Sequence, residues 1–311
     1  MHRISIQEKS EIRRILIFLY IDSMTKGIIS WIDDLSVVVK KPNTIRLFKA
    51  AVYFWLLCMS IYLWPIRDLL WGVDSLNMPA IQKQGLVNNF IFKLTYVPGL
   101  AGTVWFIHFG SLILAMCNLL KWIPRVAVVI TGWMLYYAAI PVYNAGFLLF
   151  MLFATYAVVM EPASSSRSKK LLTNLGYIAC IVQFLLVYMI ASGYKLSGST
   201  WIEGSSIFYT LFMDHFVSAG ARNMLSDQKW LLLILNYAGL FYQLTFPFLV
   251  WWRRIKYPLL LAGIIFHGTI AFGLGLYDFG SAMVFGYILF LEDRHARKVL
   301  EILKLKSRRA Q

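Results

Sequence analysis

Residues 171–193 read LLTNLGYIACIVQFLLVYMIASG and contain no charged side chain. Lys169 and Lys170 precede this run, and Lys195 follows it. A helix needs about 20 mostly apolar residues to cross the hydrocarbon core of a bilayer, which is ~30 Å thick. The run is long enough, and the flanking lysines can reach the lipid headgroups. This stretch therefore predicts a transmembrane helix.

Seven further apolar runs have the same character, each bounded by charged residues, proline or polar clusters. They lie at roughly residues 47–64, 101–120, 126–142, 146–160, 230–252, 257–275 and 278–291. In chain order the third, fourth and eighth spans are short, as expected of tilted or half-buried segments. The composition agrees with a membrane protein, because only 14% of the residues are charged and the mean hydropathy is +0.65. Soluble proteins average about 25% charged residues.

The predicted fold is an all-α, polytopic integral membrane helix bundle with eight transmembrane helices. Residues 41–292 form its single transmembrane domain, residues 1–40 a cytoplasmic interfacial helical region, and residues 293–311 a basic cytoplasmic tail. The apolar run at 15–21 is too short to span and lacks an A-x-A cleavage site, so it does not predict a signal peptide. An interfacial helix explains it better.

The distribution of charge predicts the orientation of the bundle. The chain has 30 Lys and Arg residues against 15 Asp and Glu residues, a net charge of +15. With both termini in the cytoplasm, most of the basic residues fall on inner segments, as the positive-inside rule requires. The predicted outer segments hold only Arg67, Lys83, Lys93, Lys195, Arg222 and Lys229. Topology and the lipid bilayer therefore explain the excess charge without a nucleic-acid partner, and the predicted location is the plasma membrane.

Several common functional classes leave no trace in the sequence. The three cysteines, Cys58, Cys117 and Cys180, lie inside predicted spans without a C-x-x-C pair, so neither a disulfide nor a zinc or other metal site is predicted. Nucleotide-binding, zinc-protease and nucleophile-elbow motifs are missing. No inverted repeat points to a secondary transporter.

The predicted outer loop at 194–229 is the most informative segment. Its residues 205–216 place apolar side chains on one face, which predicts an amphipathic helix on the outer leaflet. Lys195 begins the loop and permits two interpretations. It either snorkels from the helix end to the headgroups, or lies partly desolvated beneath the loop, where its neutral amine accepts a proton.

Polar residues inside the spans are functional candidates by default, because they are costly in hydrocarbon. His267 lies about 11 Å below the outer end of the seventh span, at 1.5 Å per residue. It either hydrogen-bonds a neighbouring polar group or takes part in chemistry. Gln243 and His108 are weaker candidates of the same kind, and Asp278 is a helix cap or a site residue.

Two stretches go beyond generic membrane sequence. The first is ASGYKLSGSTWIEGSS at 191–206, and the second combines YQLTFPFLVW at 242–251 with FHGTIA at 266–271. A lysine ending a span, followed by Trp-x-x-Gly, a Phe-Pro span and a Phe-His span, resembles the horizontally transferred transmembrane (HTTM) family. That family includes vitamin K-dependent gamma-carboxylases and a bacterial maturation protein for a sporulation-delaying peptide toxin. The resemblance covers roughly residues 40–292.

The resemblance implies an all-helical membrane bundle in which Lys195 matches the base of the carboxylase members. A quinone-type lipid is implied as cofactor by this resemblance alone. Two departures make vitamin K-dependent carboxylation itself improbable. The turn at 143–146, YNAG, lacks the histidine of a carboxylase Asn-His pair, and no large extracytoplasmic domain follows the bundle.

Two hypotheses of function follow. In the first, the protein is an enzyme or maturation factor that acts on a peptide or lipid-soluble substrate, with a small secreted peptide as partner. Lys195 and His267 are then the catalytic candidates, and the binding candidates are Tyr194, Trp201, Glu203, Gly204 and Gln243. In the second, the same outer loop belongs to a non-enzymatic module that binds a peptide, toxin or lipid.

Overall fold

In a computed structural model of the chain, residues 24–71, 99–139, 144–213, 217 and 219–303 are described, and all regular structure among them is helical. The helices are α1 (residues 24–37), α2 (Pro42–Leu63), α3 (Arg67–Trp71), α4 (Leu100–Met116), α5 (Ile123–Ala138), α6 (Ala145–Ala157), α7 (Arg167–Ser197), α8 (Ser199–Ile202), α9 (Ser206–Leu211), α10 (Ala219–Leu225), α11 (Lys229–Leu249), α12 (Lys256–Gly273), α13 (Tyr277–Gly286) and α14 (Asp293–Ile302). Short 3₁₀ turns follow α2 at Trp64–Ile66 and α13 at Tyr287–Phe290. Predictions for the first 23 residues, for most of the loop at 65–100 and for the end of the tail lie outside the described residues.

Four helices are long and apolar enough to cross a membrane. They span Pro42–Trp71, Arg167–Ser197, Lys229–Leu249 and Lys256–Gly273. The all-α prediction is therefore confirmed for the described residues, and the composition of these helices is that of membrane segments. The other four predicted spans coincide with shorter apolar helices, at Leu100–Met116, Ile123–Ala138, Ala145–Ala157 and Tyr277–Phe290.

The short helix α6 forms the centre of the bundle. Its residues Phe150, Met151, Phe153 and Ala154 are completely buried, and the Trp55 ring of α2 stacks on Phe150 at 3.8 Å between ring centroids. A helix of 13 residues is only about 20 Å long. It is shorter than the hydrocarbon core because it is surrounded by other helices rather than by lipid.

The packing of α13 against α6 is close because glycine lies at the contact. A Cβ atom on Gly146 would overlap the backbone of Asp278 and Phe279. Asn144 caps α6 by accepting a hydrogen bond from the Gly146 backbone N–H at 2.8 Å. Its amide also donates to the Asp278 carboxylate at 3.2 Å. Asp278 therefore links the starts of α13 and α6.

A carboxylate of α14 caps the N-terminus of α2. Asp293 accepts hydrogen bonds from the backbone N–H groups of Asn43 at 2.7 Å and Thr44 at 2.9 Å. It also accepts one from the Asn43 side-chain amide at 2.6 Å. These N–H groups begin α2 and have no partner within the helix, and a negative charge at this end is favourable. Asp293 thus fastens α14 to α2.

Replacing Asp293 by alanine is expected to lower the free energy of unfolding by roughly 2–3 kcal/mol, since a charged cap with several hydrogen bonds is lost. Unfolding of the purified protein in detergent by heat or denaturant measures the change. Glu301→Ala is the matched control, because Glu301 is an exposed residue of α14 whose pair with Arg297 is 3.7 Å long. Equal stability of the two variants would contradict the capping role.

Part of the predicted interfacial region is helical and is anchored to the bundle by Asn174 of α7. The Asn174 amide donates to the carbonyls of Leu35 at 2.7 Å and Val38 at 2.8 Å. Its oxygen accepts from the Lys40 backbone N–H at 3.0 Å. One buried side chain therefore fixes the chain between α1 and α2.

Candidate functional site

The C-terminal half of α7 and the middle of α11 carry most of the polar residues of the candidate site. Tyr188, Ser192 and Lys195 lie four and three residues apart on α7, so they share one face. Asn236 and Gln243 are separated by two helical turns on α11 and share another. The two faces meet, because Lys195 and Gln243 are in direct contact.

Lys195 is held by two contacts. Its Nζ atom donates a hydrogen bond to Gln243 Oε1 at 2.7 Å. The same atom lies 4.1 Å from the centroid of the Trp201 ring, within the range of a cation–π interaction. The lysine side chain is half-buried, and Gln243 is buried. The Lys195 amine therefore lies between Gln243 of α11 and the Trp201 ring.

The loop that carries Trp201 is fastened to α11. The amide of Asn236 donates to the Trp201 carbonyl at 2.9 Å, and the Tyr237 hydroxyl donates to the Ile202 carbonyl at 2.7 Å. Gly204 then turns the chain with a φ of +80°, a conformation that glycine adopts without strain. A Cβ atom there would also overlap the Leu233 side chain. This turn follows directly after the segment whose Trp201 indole lies over Lys195.

A chain of tyrosines and one histidine crosses the bundle below Lys195. Tyr188 Oη lies 2.9 Å from His267 Nε2 and 2.5 Å from Tyr287 Oη. Tyr287 Oη lies 2.9 Å from Tyr242 Oη, and the Tyr242 hydroxyl donates to the Leu259 carbonyl at 3.3 Å. His267 is completely buried, and Lys195 is close enough to interact with it electrostatically. His267 thus joins the tyrosine chain at Tyr188, within electrostatic range of Lys195.

Three buried polar atoms around Lys195 have no hydrogen-bond partner among the described residues. They are Ser192 Oγ, Asn236 Oδ1 and His267 Nδ1. The great majority of buried polar groups in proteins are hydrogen-bonded, and each exception calls for an explanation such as a bound molecule or an ordered water. These three atoms are therefore the groups near Lys195 that remain available to a ligand or to ordered water.

The structure brings together some of the predicted site residues and separates others. Lys195, Trp201, Gln243 and His267 form one cluster, with Gly204 shaping the loop above it. Tyr194 is 78% exposed on α7. Glu203 is also exposed. His108 lies elsewhere, buried, with its Nδ1 atom 2.9 Å from Thr131 Oγ1.

The amphipathic helix predicted for residues 205–216 is shorter than expected. Helix α9 ends at Leu211, and the Leu211 carbonyl accepts a hydrogen bond from Arg222 Nε at 2.8 Å instead of continuing the helix. Residues 214–216, with Asp214 and His215, lie outside the described residues. The prediction therefore overextended a single short helix.

The hydrogen-bonded tyrosines Tyr188, Tyr242 and Tyr287 were not identified as site residues from the sequence. Tyr188 is 1% exposed and Tyr287 is 3% exposed. One signal was available, because Tyr188 lies two turns before Lys195 on the same face of a span. Tyr242 likewise neighbours Gln243 in the sequence. Tyr287, which contacts both Tyr188 and Tyr242, follows no comparable pattern.

Comparisons with known proteins add no relative. No family model matches the chain, and neither a curated protein nor a solved structure is similar enough to match it. The resemblance to the HTTM family therefore stays a prediction from the motifs at 191–206, 242–251 and 266–271. What the chain offers on its own is a helical bundle with a lysine, a histidine and unpartnered polar groups beneath an outer loop.

Proposed function

We propose that this chain is a multi-pass plasma-membrane protein of the HTTM type with eight spans and both termini in the cytoplasm. At an outward-facing intramembrane site it modifies or matures a peptide or lipid-soluble substrate. The observation that carries this proposal is the placement of the Lys195 amine. It lies between Gln243 and Trp201, next to the buried His267 and the tyrosine chain.

Lys195 is the proposed base. A general base must be fixed within hydrogen-bonding reach of the proton it takes, and Gln243 and Trp201 fix this amine. A lysine becomes a proton acceptor when it is desolvated, because its charged form is then disfavoured. The loop at 198–204 and the walls of α7 and α11 supply that shielding.

His267 is the proposed second catalytic group. Its Nε2 atom is engaged by the Tyr188 hydroxyl, which leaves Nδ1 for a substrate. Hydroxyls and imidazole rings exchange protons readily, so the chain through Tyr188, Tyr287 and Tyr242 can redistribute a proton taken from the substrate. Ser192 and Asn236 would bind the polar groups of that substrate.

The residues present fit the quinone-type lipid that the family resemblance implies. A quinone carbonyl needs a hydrogen-bond donor, and the buried Ser192 hydroxyl and the Lys195 amine are donors on the same helical face. The Trp201 ring lies over the Lys195 amine, and the rings of Tyr188 and Phe266 contact the His267 ring. When bound, such a lipid would supply the redox chemistry that these side chains lack.

The second candidate function is a non-enzymatic module that binds a peptide, toxin or lipid. The contact between Lys195 and the face of the Trp201 ring favours it, since cation–π contacts stabilise the charged ammonium. A permanently charged Lys195 would bind a carboxylate, such as the C-terminus of a peptide. In this case the unpartnered atoms would bind the same ligand without chemistry.

Mass spectrometry of secreted peptides and membrane lipids separates the two candidate functions. Cells producing the wild type, Lys195→Met or no protein are compared in the native host. An enzyme is expected to yield a product mass that is lost in Lys195→Met and in the null strain, whereas Lys229→Met, an exposed outer-loop lysine, retains it. Identical peptide and lipid masses in all strains would contradict the enzyme and leave the binding module.

The proposed orientation predicts which positions a membrane-impermeant thiol reagent reaches in whole cells. In a background without Cys58, Cys117 and Cys180, single cysteines replace Ser165 on the inner loop and Ser199 on the outer loop. Both serines are exposed, so labelling reports the side of the membrane rather than burial. The Ser199→Cys variant is expected to be labelled and Ser165→Cys spared until the cells are opened. The reverse result would overturn the orientation.

A further inference from the structure

A second polar cluster lies at the other end of α7, where α2, α5 and the segment after α6 meet. Its centre is the Met160 carbonyl, which accepts a hydrogen bond from Lys49 Nζ at 2.6 Å and another from Arg125 at 3.3 Å. Lys49 is 9% exposed and Arg125 is 4% exposed. Two buried basic side chains thus share one neutral carbonyl oxygen.

Positive charge exceeds negative charge in this cluster. Glu161 lies 3.9 Å from Arg125, beyond hydrogen-bonding distance, and makes its closer pair with Lys169 at 3.0 Å. Among the described residues, no other carboxylate forms an ion pair with Lys49, Arg125 or Lys169. Buried positive charge that is not balanced by a carboxylate is unfavourable, and a bound anion would balance it.

Two buried donors in the same cluster lack partners among the described residues. They are the Tyr53 hydroxyl and Arg125 Nε. Tyr53 follows Lys49 by one helical turn on α2, and Arg125 is close enough to interact with it electrostatically. The other guanidinium nitrogens of Arg125 are occupied, with one donating to Asn118 Oδ1 at 2.7 Å. The unpartnered donors and the excess charge therefore occur at one place.

We propose that this cluster is a binding site for a phosphate group, with Lys49, Arg125 and Tyr53 as its ligands. Phosphate offers several acceptor oxygens and a negative charge, and an arginine is well suited to it. The group comes from the headgroup of an anionic phospholipid or from free phosphate. Glu161 and Lys169, which are more exposed, form the rim through which it enters. This site is separate from the one around Lys195.

The test uses the full-length protein purified in an uncharged detergent, with its thermal unfolding followed during titration. The probes are phosphatidylglycerol, diacylglycerol as a lipid without phosphate, and inorganic phosphate. Phosphatidylglycerol is expected to raise the unfolding temperature, whereas diacylglycerol is not, since ligands that bind the folded state stabilise it. If inorganic phosphate raises the unfolding temperature as phosphatidylglycerol does, the bound group is free phosphate. If inorganic phosphate leaves the unfolding temperature unchanged, the bound group is the lipid headgroup.

Variants of α2 then assign the response to this cluster. Tyr53→Phe is expected to weaken the apparent affinity about tenfold, the effect of one hydrogen bond to a charged ligand. Lys49→Met is expected to remove the response. Tyr62→Phe is the matched control, because this tyrosine is on the same helix but 72% exposed, and it should respond like the wild type.

Lys49→Met removes a buried hydrogen bond and could prevent folding. Tyr53→Phe is expected to fold, because the Tyr53 hydroxyl has no hydrogen-bond partner among the described residues. If the Tyr53 hydroxyl binds no phosphate, Tyr53→Phe should unfold at a higher temperature than the wild type without ligand, because a buried unpaired hydroxyl is removed. Its response to phosphatidylglycerol should then equal that of the wild type. That outcome overturns the proposal. A wild-type protein that responds to neither phosphatidylglycerol nor inorganic phosphate overturns it as well.

Discussion

Lys195→Arg is expected to lower activity by roughly 10²–10⁴-fold, the usual contribution of a general base. Arginine keeps the positive charge and a similar reach, but its guanidinium does not release a proton in a protein. It also has no neutral form with which to replace the amine held by Gln243 and Trp201. The substitution therefore separates proton transfer from charge, which Lys195→Met does not.

The measurement is the yield of the product identified by mass spectrometry, at matched abundance of the protein in the membrane. Lys229→Arg is the control for the same substitution at an exposed position of the outer loop, and it should retain full activity. A Lys195→Arg variant with normal product yield would exclude Lys195 as base. It would favour the module that binds an anionic ligand through the charge alone.

Gly146→Ala is expected to have the largest effect on stability, a loss of about 3 kcal/mol or more, at the upper end of what overpacking costs. The new methyl group would overlap backbone atoms of Asp278 and Phe279, which cannot move aside as a flexible side chain does. Relief requires α6 and α13 to separate. Because α13 precedes Tyr287, the tyrosine chain is expected to be disturbed as well.

Gly102→Ala is the matched control, because Gly102 is also near the start of a helix and a Cβ atom there meets no atom within 4 Å. Both substitutions raise the helix propensity by the same amount. The difference in stability between the two variants therefore reports the steric overlap at Gly146. Thermal unfolding in detergent provides the comparison. If the two variants unfold at the same temperature, the close contact between α6 and α13 does not contribute to stability.

The sequence predicted the helices well because hydrophobic run length and bounding charges are local properties. The run at 171–193 lies within α7, and the run at 257–275 largely coincides with α12. It could not predict the burial of α6, because a helix in the centre of a membrane bundle is as apolar as one that faces lipid. That distinction depends on which helices surround it, and runs of apolar residues do not encode it.

The candidate site was predicted only in part, for the same reason. Lys195 and His267 were found because ionisable residues are rare in membrane segments. Their partners depend on the rotation of each helix about its axis, which brings Gln243 to Lys195 across 48 positions of sequence. At the other end of α7, Lys49 was visible inside a span, but its partner is the backbone carbonyl of Met160, which no side-chain pattern reveals.

The cap that Asp293 provides has a consequence for biosynthesis. Asn43 and Asp293 are 250 positions apart, and a ribosome adding about 5–20 residues per second takes roughly 10–50 s to cover that distance. Helix α2 must therefore form with the N–H groups of its first turn uncapped until Asp293 has been synthesised. We expect chains interrupted before residue 293 to lack both α14 and the cap of α2.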